Sequence, residues 1–148
     1  MVKKLFEGSQ AHLDFDAVVR GFTPDLAGRR VEGLPHTAWQ LVWHIWFTQK
    51  DIIDFHVNRD YREYQWPRDY WPKTDGPSDE AEWRRVLAGY RDDVRRVAAM
   101  LADPSEDLLA PKAAKKASLL RVALLSMDHA AYHVGQLVDL KRLLGVEV

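Results

Sequence analysis

Apolar residues in this chain recur at intervals of three and four in four separate stretches, and nowhere do they alternate with polar residues over a sustained run. This pattern constrains the fold more than any other feature. A period near 3.6 builds helices with one apolar face, whereas half-buried strands need a period of two. The expected fold class is therefore all-α. Four long amphipathic helices within 148 residues are read as a four-helix bundle, with residues 1–148 forming a single domain.

The first stretch covers roughly residues 2–20 and carries Leu5, His12, Leu13, Phe15, Val18 and Val19; Gly21 and Pro24 mark its exit. The second starts at Thr37, where Thr37 and Gln40 fit a capping box, and runs to about Val57. Its inward set is Leu41, Ile45, Ile52 and Phe55, with Trp39, Trp43 and Trp46 on an adjoining stripe read as core or dimer contact. The third begins at Ser78 or Asp79, packs through Trp83, Val86, Leu87, Tyr90, Val94, Val97 and Leu101, and stops at Asp103-Pro104. The fourth runs from Ser118 to Leu144, with Gly145 beyond it, and is expected to face inward through Leu120, Leu124, Met127, Ala131, Val134, Val138 and Leu143.

Between the second and third helices lies RDYREYQWPRDYWPKTDGP, residues 59–77. Pro67, Pro72, Pro77 and Gly76 forbid a continuous helix there. Its aromatic content is unlike that of a solvated linker, so it is expected to cross the bundle and to wall a pocket with Trp66, Tyr70 or Trp71. Residues 103–117 read as a loop whose Lys112, Lys115 and Lys116 form a solvated basic cluster.

Composition removes whole classes of function. There is no cysteine, which excludes disulfide scaffolds, thiolate nucleophiles and Cys-containing zinc sites. A formal net charge of -1 argues against nucleic-acid binding by bulk charge. No stretch is long and apolar enough for a membrane helix, and the N-terminus lacks the apolar run of a secretory signal, so a cytoplasmic protein without membrane or nucleic-acid partners is the expectation. No phosphate-binding glycine loop and no Ser-His-Asp order is present.

In a chain without cysteine, a tight transition-metal site must lean on the 6 histidines. His129 and His133 are four residues apart, so they share a helical face one turn from each other, a spacing that lets two imidazoles hold one ion. The residue after the first is Ala130, not the glutamate of a zincin protease. His44 sits in mid-helix within an apolar run, where a buried imidazole needs a partner. One His from one helix and a pair from another would offer three neutral nitrogens on one side of an ion, leaving positions open for water or substrate. Hydrogen-bonded core histidines are the other reading of the same spacing.

Several neighbours are candidates for supporting roles. Gln136 shares the face of the pair and is placed either near a metal-bound water or in a plain polar contact. Asp51, seven residues after His44, is a hydrogen-bond acceptor behind the site, a general base or a solvated carboxylate. His12 is a candidate to reach the pocket from the first helix. Asp128 is expected to point away, and His36 and His56 are read as surface residues.

The run HTAWQLVWHIWFTQKDIIDF resembles the second helix of the DinB-like metalloenzyme family, and SMDHAAYHVGQLVDLKRLLG resembles its last helix. WPRDYWP and EGSQAHLDFDAVV are similar to one subgroup, while APKAAKKA at 110–117 departs from the Gly/His-containing turn of the family. The resemblance implies a four-helix bundle with a long crossover between helices 2 and 3, often a homodimer, and a divalent transition metal (zinc, nickel, iron or manganese) held at the positions of His44, His129 and His133. It also implies an enzyme acting on a small-molecule or thiol substrate by hydrolysis or thiol-dependent transfer. A non-catalytic, stress-related metal- or ligand-binding bundle protein, and a purely structural bundle, are the competing readings.

Overall fold

A computed structural model describes residues 4, 11–112 and 117–147 of the chain. Five helices have their bounds within the described residues, in order: α1 (Phe15–Val19), α2 (Pro24–Ala27), α3 (Ala38–Val57), α4 (Glu80–Ala102) and α5 (Leu119–Leu143). A 3-10 turn at Arg68–Tyr70 lies in the crossover, and a two-residue antiparallel ladder, β1 (Pro111–Lys112) with β2 (Ala117–Ser118), precedes α5. The all-α class follows. Among the described residues, no helix is long and apolar enough to cross a membrane.

The three long helices begin and end where local chemistry dictates. Thr37 accepts from the Gln40 amide while the Gln40 side chain accepts from the Thr37 amide, so α3 starts with two of its orphan donors satisfied. Asp79 caps α4 through the Glu82 amide, and Ser118 caps α5 through the Arg121 amide. Gly145, at φ 70, leaves α5 in the left-handed region that favours glycine.

The first stretch departs from expectation. Residues 11–14 are not helical, and Asp14 starts a new helix by accepting from the Ala17 amide at 2.7 Å. The expected helix over 2–20 is thus interrupted at 11–14, with α1 after the break; positions 1–3 and 5–10 lie outside the described residues. His12 stands in the exposed segment ahead of α1, its Nδ1 within 2.7 Å of the Leu13 carbonyl, and does not reach the interior.

The main core joins α1, α3, α4 and α5 through Phe15, Val18, Trp39, Ile45, Trp83, Val86, Tyr90, Val134 and Leu137. A second cluster at the far end gathers Ile53, Val97, Leu119 and Val122. The inward face of α5 differs from the expected one. Leu124 and Leu143 are exposed, and Leu119, Val122, Leu137 and Leu140 are buried instead. The helix is apolar over much of its circumference, so spacing alone admits several registers. Ile52 and Phe55 on α3 are only half-buried, while Ile53 and His56 are inside.

The crossover is fastened to α3 at its C-terminal end. Arg30 pairs with Asp75, Thr37 donates to the Asp75 carbonyl at 2.6 Å, and the Trp39 indole donates to Thr74. Gly28 and Gly76 permit close backbone approach, since a Cβ on Gly28 would lie 3.0 Å from the Gly76 Cα. These ties carry the Trp66–Trp71 segment across the face of α3 that bears His44.

Candidate metal centre

Capped helices α3 and α5 bring His44, His129 and His133 together. One ring nitrogen from each lies within 4.8 Å of the others, and the Nε2 atoms of His44 and His129 are 3.0 Å apart. The ring centroids of His133 lie 4.8 Å from His44 and 4.6 Å from His129. Among the described residues this is the group of histidine and acidic side chains that could hold an ion.

Two of the rings have their protons assigned by their neighbours. The Nδ1 of His44 lies 2.7 Å from the Tyr70 carbonyl, and a carbonyl only accepts, so that nitrogen carries the proton. The Nδ1 of His133 lies 2.7 Å from Gln136 Oε1 and donates to it in the same way. His44 then turns a bare Nε2 toward His129, and the Nε2 of His133 is left without a proton. Gln136 therefore orients His133.

The electrostatics keep these rings neutral. Burial pushes His44 down to about 4, against the opposing pull of the Tyr70 carbonyl and with a further push from His133. Burial likewise pushes His129 down to about 3, with repulsion from His133 and His44 adding to it. Burial lowers His133 too, and its bond to Gln136 opposes the shift. A donor set of three unprotonated imidazoles fits a divalent transition metal, because a ligand nitrogen must give up its proton to bind.

The crossover forms one wall of the site. Trp71 stacks on His44 with centroids 3.9 Å apart and planes 9° apart, and His36 stacks on Trp71 with the same values. His36 is thus half-buried in a three-ring stack, not the surface residue expected from its place beside a helix cap. Trp66 lies 6.2 Å from His44 yet keeps 67% of its surface exposed, so it stands at the rim. Tyr70 contributes its carbonyl to His44 and its phenol to Asp51 at 2.6 Å.

Asp51 is buried, not solvated, and Tyr61 reaches it as well, at 2.8 Å. Burial, then the hydrogen bonds to Asp51 and its charge, hold both phenols well above the usual tyrosine range, so they stay donors. His56 corrects a second surface assignment: it is buried, and its Nδ1 donates to the Ala117 carbonyl at 3.0 Å. Its angular offset from His44 on α3 places it against β2, not in solvent. Asp128 is exposed, in line with its position on the helix.

His36 and Tyr61 were missed as participants. The signal for Tyr61 was its presence in an aromatic crossover; His36 gave none, because its contact depends on where Trp71 is laid.

A family model described as the DinB superfamily matches residues 8–137, and no curated protein or solved structure matches the chain. The chain belongs to the DinB superfamily.

Proposed function

From DinB-superfamily membership and the three converging imidazoles, we propose that this protein is a metal-dependent enzyme whose divalent ion is held by His44, His129 and His133. The observation that carries the reading is the pair of assigned tautomers: His44 and His133 each spend Nδ1–H on a hydrogen-bond acceptor, which leaves Nε2 without a proton. A divalent ion in such a site supplies Lewis acidity toward water or a thiol cosubstrate. Gln136 and the Tyr70 carbonyl hold the rings, Trp71 shields one face of His44 from water, and Trp66 borders the approach. With no carboxylate among the three ligands, their neutral donor set leaves the ion's charge undiminished toward a substrate.

The reading extends to a small-molecule or thiol substrate, hydrolysis or thiol-dependent transfer as the reaction, a homodimer, a cytoplasmic setting, and zinc, nickel, iron or manganese as the ion. It also takes α1, α3, α4 and α5 as the members of a four-helix bundle. The first experiment is elemental analysis of protein purified without a nickel column or chelator. About one equivalent of a divalent transition metal per chain, lost on substitution of any of the three histidines, supports the site. Wild-type protein that neither carries nor takes up such an ion overturns it.

A further inference from the structure

We propose that Asp51 is a positioning residue for His44, acting through Tyr70. Asp51 and His44 lie on the same face of α3, seven residues and about 10 Å apart along the axis. Tyr70 touches both. Its phenol donates to Asp51 Oδ2 at 2.6 Å, and its carbonyl accepts from His44 Nδ1 at 2.7 Å. The residue next to it, Trp71, then covers the face of the His44 ring at 3.9 Å.

The anchor is needed because the crossover has no helix of its own to fix it there. Pro67 and Pro72 bracket the segment, and the 3-10 turn between them is a single turn closed by the Tyr70 amide on the Pro67 carbonyl. The Tyr70 ring packs against Phe47, Tyr64 and Trp66, and its hydrogen bond to a side chain of α3 is the one to Asp51, which adds a directional anchor close to the Tyr70 backbone. The carboxylate is 8% exposed, and among the described residues it forms no ion pair; its hydrogen-bond donors are the two phenols of Tyr61 and Tyr70. A buried carboxylate that binds only these phenols is unexplained by charge pairing, but it suits a group whose work is to hold the crossover down.

The consequence for His44 is a choice of tautomer. With the Tyr70 carbonyl in place the proton sits on Nδ1, and Nε2 presents a lone pair to His129 and His133. If the carbonyl moves away, the proton is free to sit on Nε2, and the nitrogen facing the other two histidines becomes a donor. Tyr61 supplies an internal control. It makes a hydrogen bond of similar length to the same carboxylate, but the carbonyl on His44 belongs to Tyr70.

The inference rests on the proposed metal site only for its effect on affinity; the tautomer does not depend on it. The test compares full-length wild type with Tyr70→Phe, Tyr61→Phe and Asp51→Asn. Long-range proton–nitrogen spectra of the histidine rings above pH 7, in ion-free protein, report the His44 tautomer, and zinc competition against a chromophoric chelator reports affinity. Wild type should show His44 protonated on Nδ1. Tyr70→Phe and Asp51→Asn should mix the two tautomers and lower zinc affinity by about tenfold or more, while Tyr61→Phe keeps the wild-type tautomer. A His44 signature unchanged in both Tyr70→Phe and Asp51→Asn, or equally disturbed in Tyr61→Phe, overturns the proposal. If Tyr70→Phe does not fold, Asp51→Asn against Tyr61→Phe decides it. If wild type takes up no zinc, the metal reading fails and the tautomer comparison still decides this one.

Discussion

The Nε2 atoms of His44 and His129 face each other at 3.0 Å across the contact between α3 and α5, although 85 positions separate them in the chain. At that distance at most one of the two nitrogens carries a proton, and the other turns its lone pair toward it. The arrangement predicts that His44→Ala, His129→Ala and His133→Ala each lower affinity for a divalent ion by more than the roughly 10–100-fold typical of a supporting residue. Far-ultraviolet circular dichroism should remain helical in all three, because the apolar clusters between helices do not pass through these rings. Elemental analysis beside thermal melting checks both halves. Unchanged metal content in any one variant removes that residue from the site.

Acid should destabilise the ion-free protein in a defined window. An unfolded histidine takes up its proton near 6.5, whereas His44 and His129 resist it until about 4 and about 3. As pH falls below 6.5 the unfolded chain binds more protons than the folded one, so stability present above 6.5 is lost progressively toward pH 3. Asp93 works the other way, since burial raises its carboxyl from 3.8 to about 6 and its protonation favours the fold. Two depressed histidines outweigh one raised carboxyl, so the net change is a loss. Urea melts of ion-free protein at pH 7.5, 6 and 5 should show a falling midpoint, and His129→Ala should flatten the dependence. A midpoint that rises toward pH 5 would contradict the neutral-histidine account.

Gly89 and Gly135 should respond to alanine in opposite directions. A Cβ on Gly89 would meet the Trp46 indole Nε1 at 2.5 Å, at the α3–α4 contact, whereas a Cβ on Gly135 meets nothing within 4 Å. Replacing a helix-interior glycine gains about 1 kcal/mol in propensity, and overpacking costs about 1–3 kcal/mol. Gly135→Ala should therefore gain up to about 1 kcal/mol, while Gly89→Ala should lose about 1 kcal/mol net. Chemical denaturation of the two variants measures the contrast.

Thr37 joins two jobs, capping α3 and donating its hydroxyl to the Asp75 carbonyl of the crossover at 2.6 Å. Thr37→Ala removes both and should cost about 2 kcal/mol, near the upper end of the range for a lost N-cap. Thr37→Ser keeps both and should stay near wild type in the same denaturation experiment.

Much of this fold was legible in local chemistry. The starts of α3, α4 and α5 follow from Thr37, Asp79 and Ser118, each of which satisfies amides within three residues of itself. The i,i+4 pair His129 and His133, and the lone His44 in an apolar run, were visible for the same reason: a helix fixes the spacing of its own side chains. Less legible was the facing of α5, where Leu124 and Leu143 turned out exposed, because a helix apolar on most sides does not declare which side its neighbours will cover. His56 was hidden by the same ambiguity, since α3 is buried on more than one face.

By itself, then, the sequence determined the helical class, the caps of the long helices, and the shared face of His129 and His133, since each of these depends on residues within a turn or two of one another; the place of His44 beside that pair was implied by family resemblance. Only the tertiary structure decided how those histidines are held. The Tyr70 carbonyl that assigns the His44 proton, the His36–Trp71–His44 stack, and the clasp of Asp51 by Tyr61 and Tyr70 all come from residues that a proline-broken crossover brings back onto α3. Such a segment has no period to read. Its course is set by the side-chain anchors it finds on another element, and those exist only once the helices have packed.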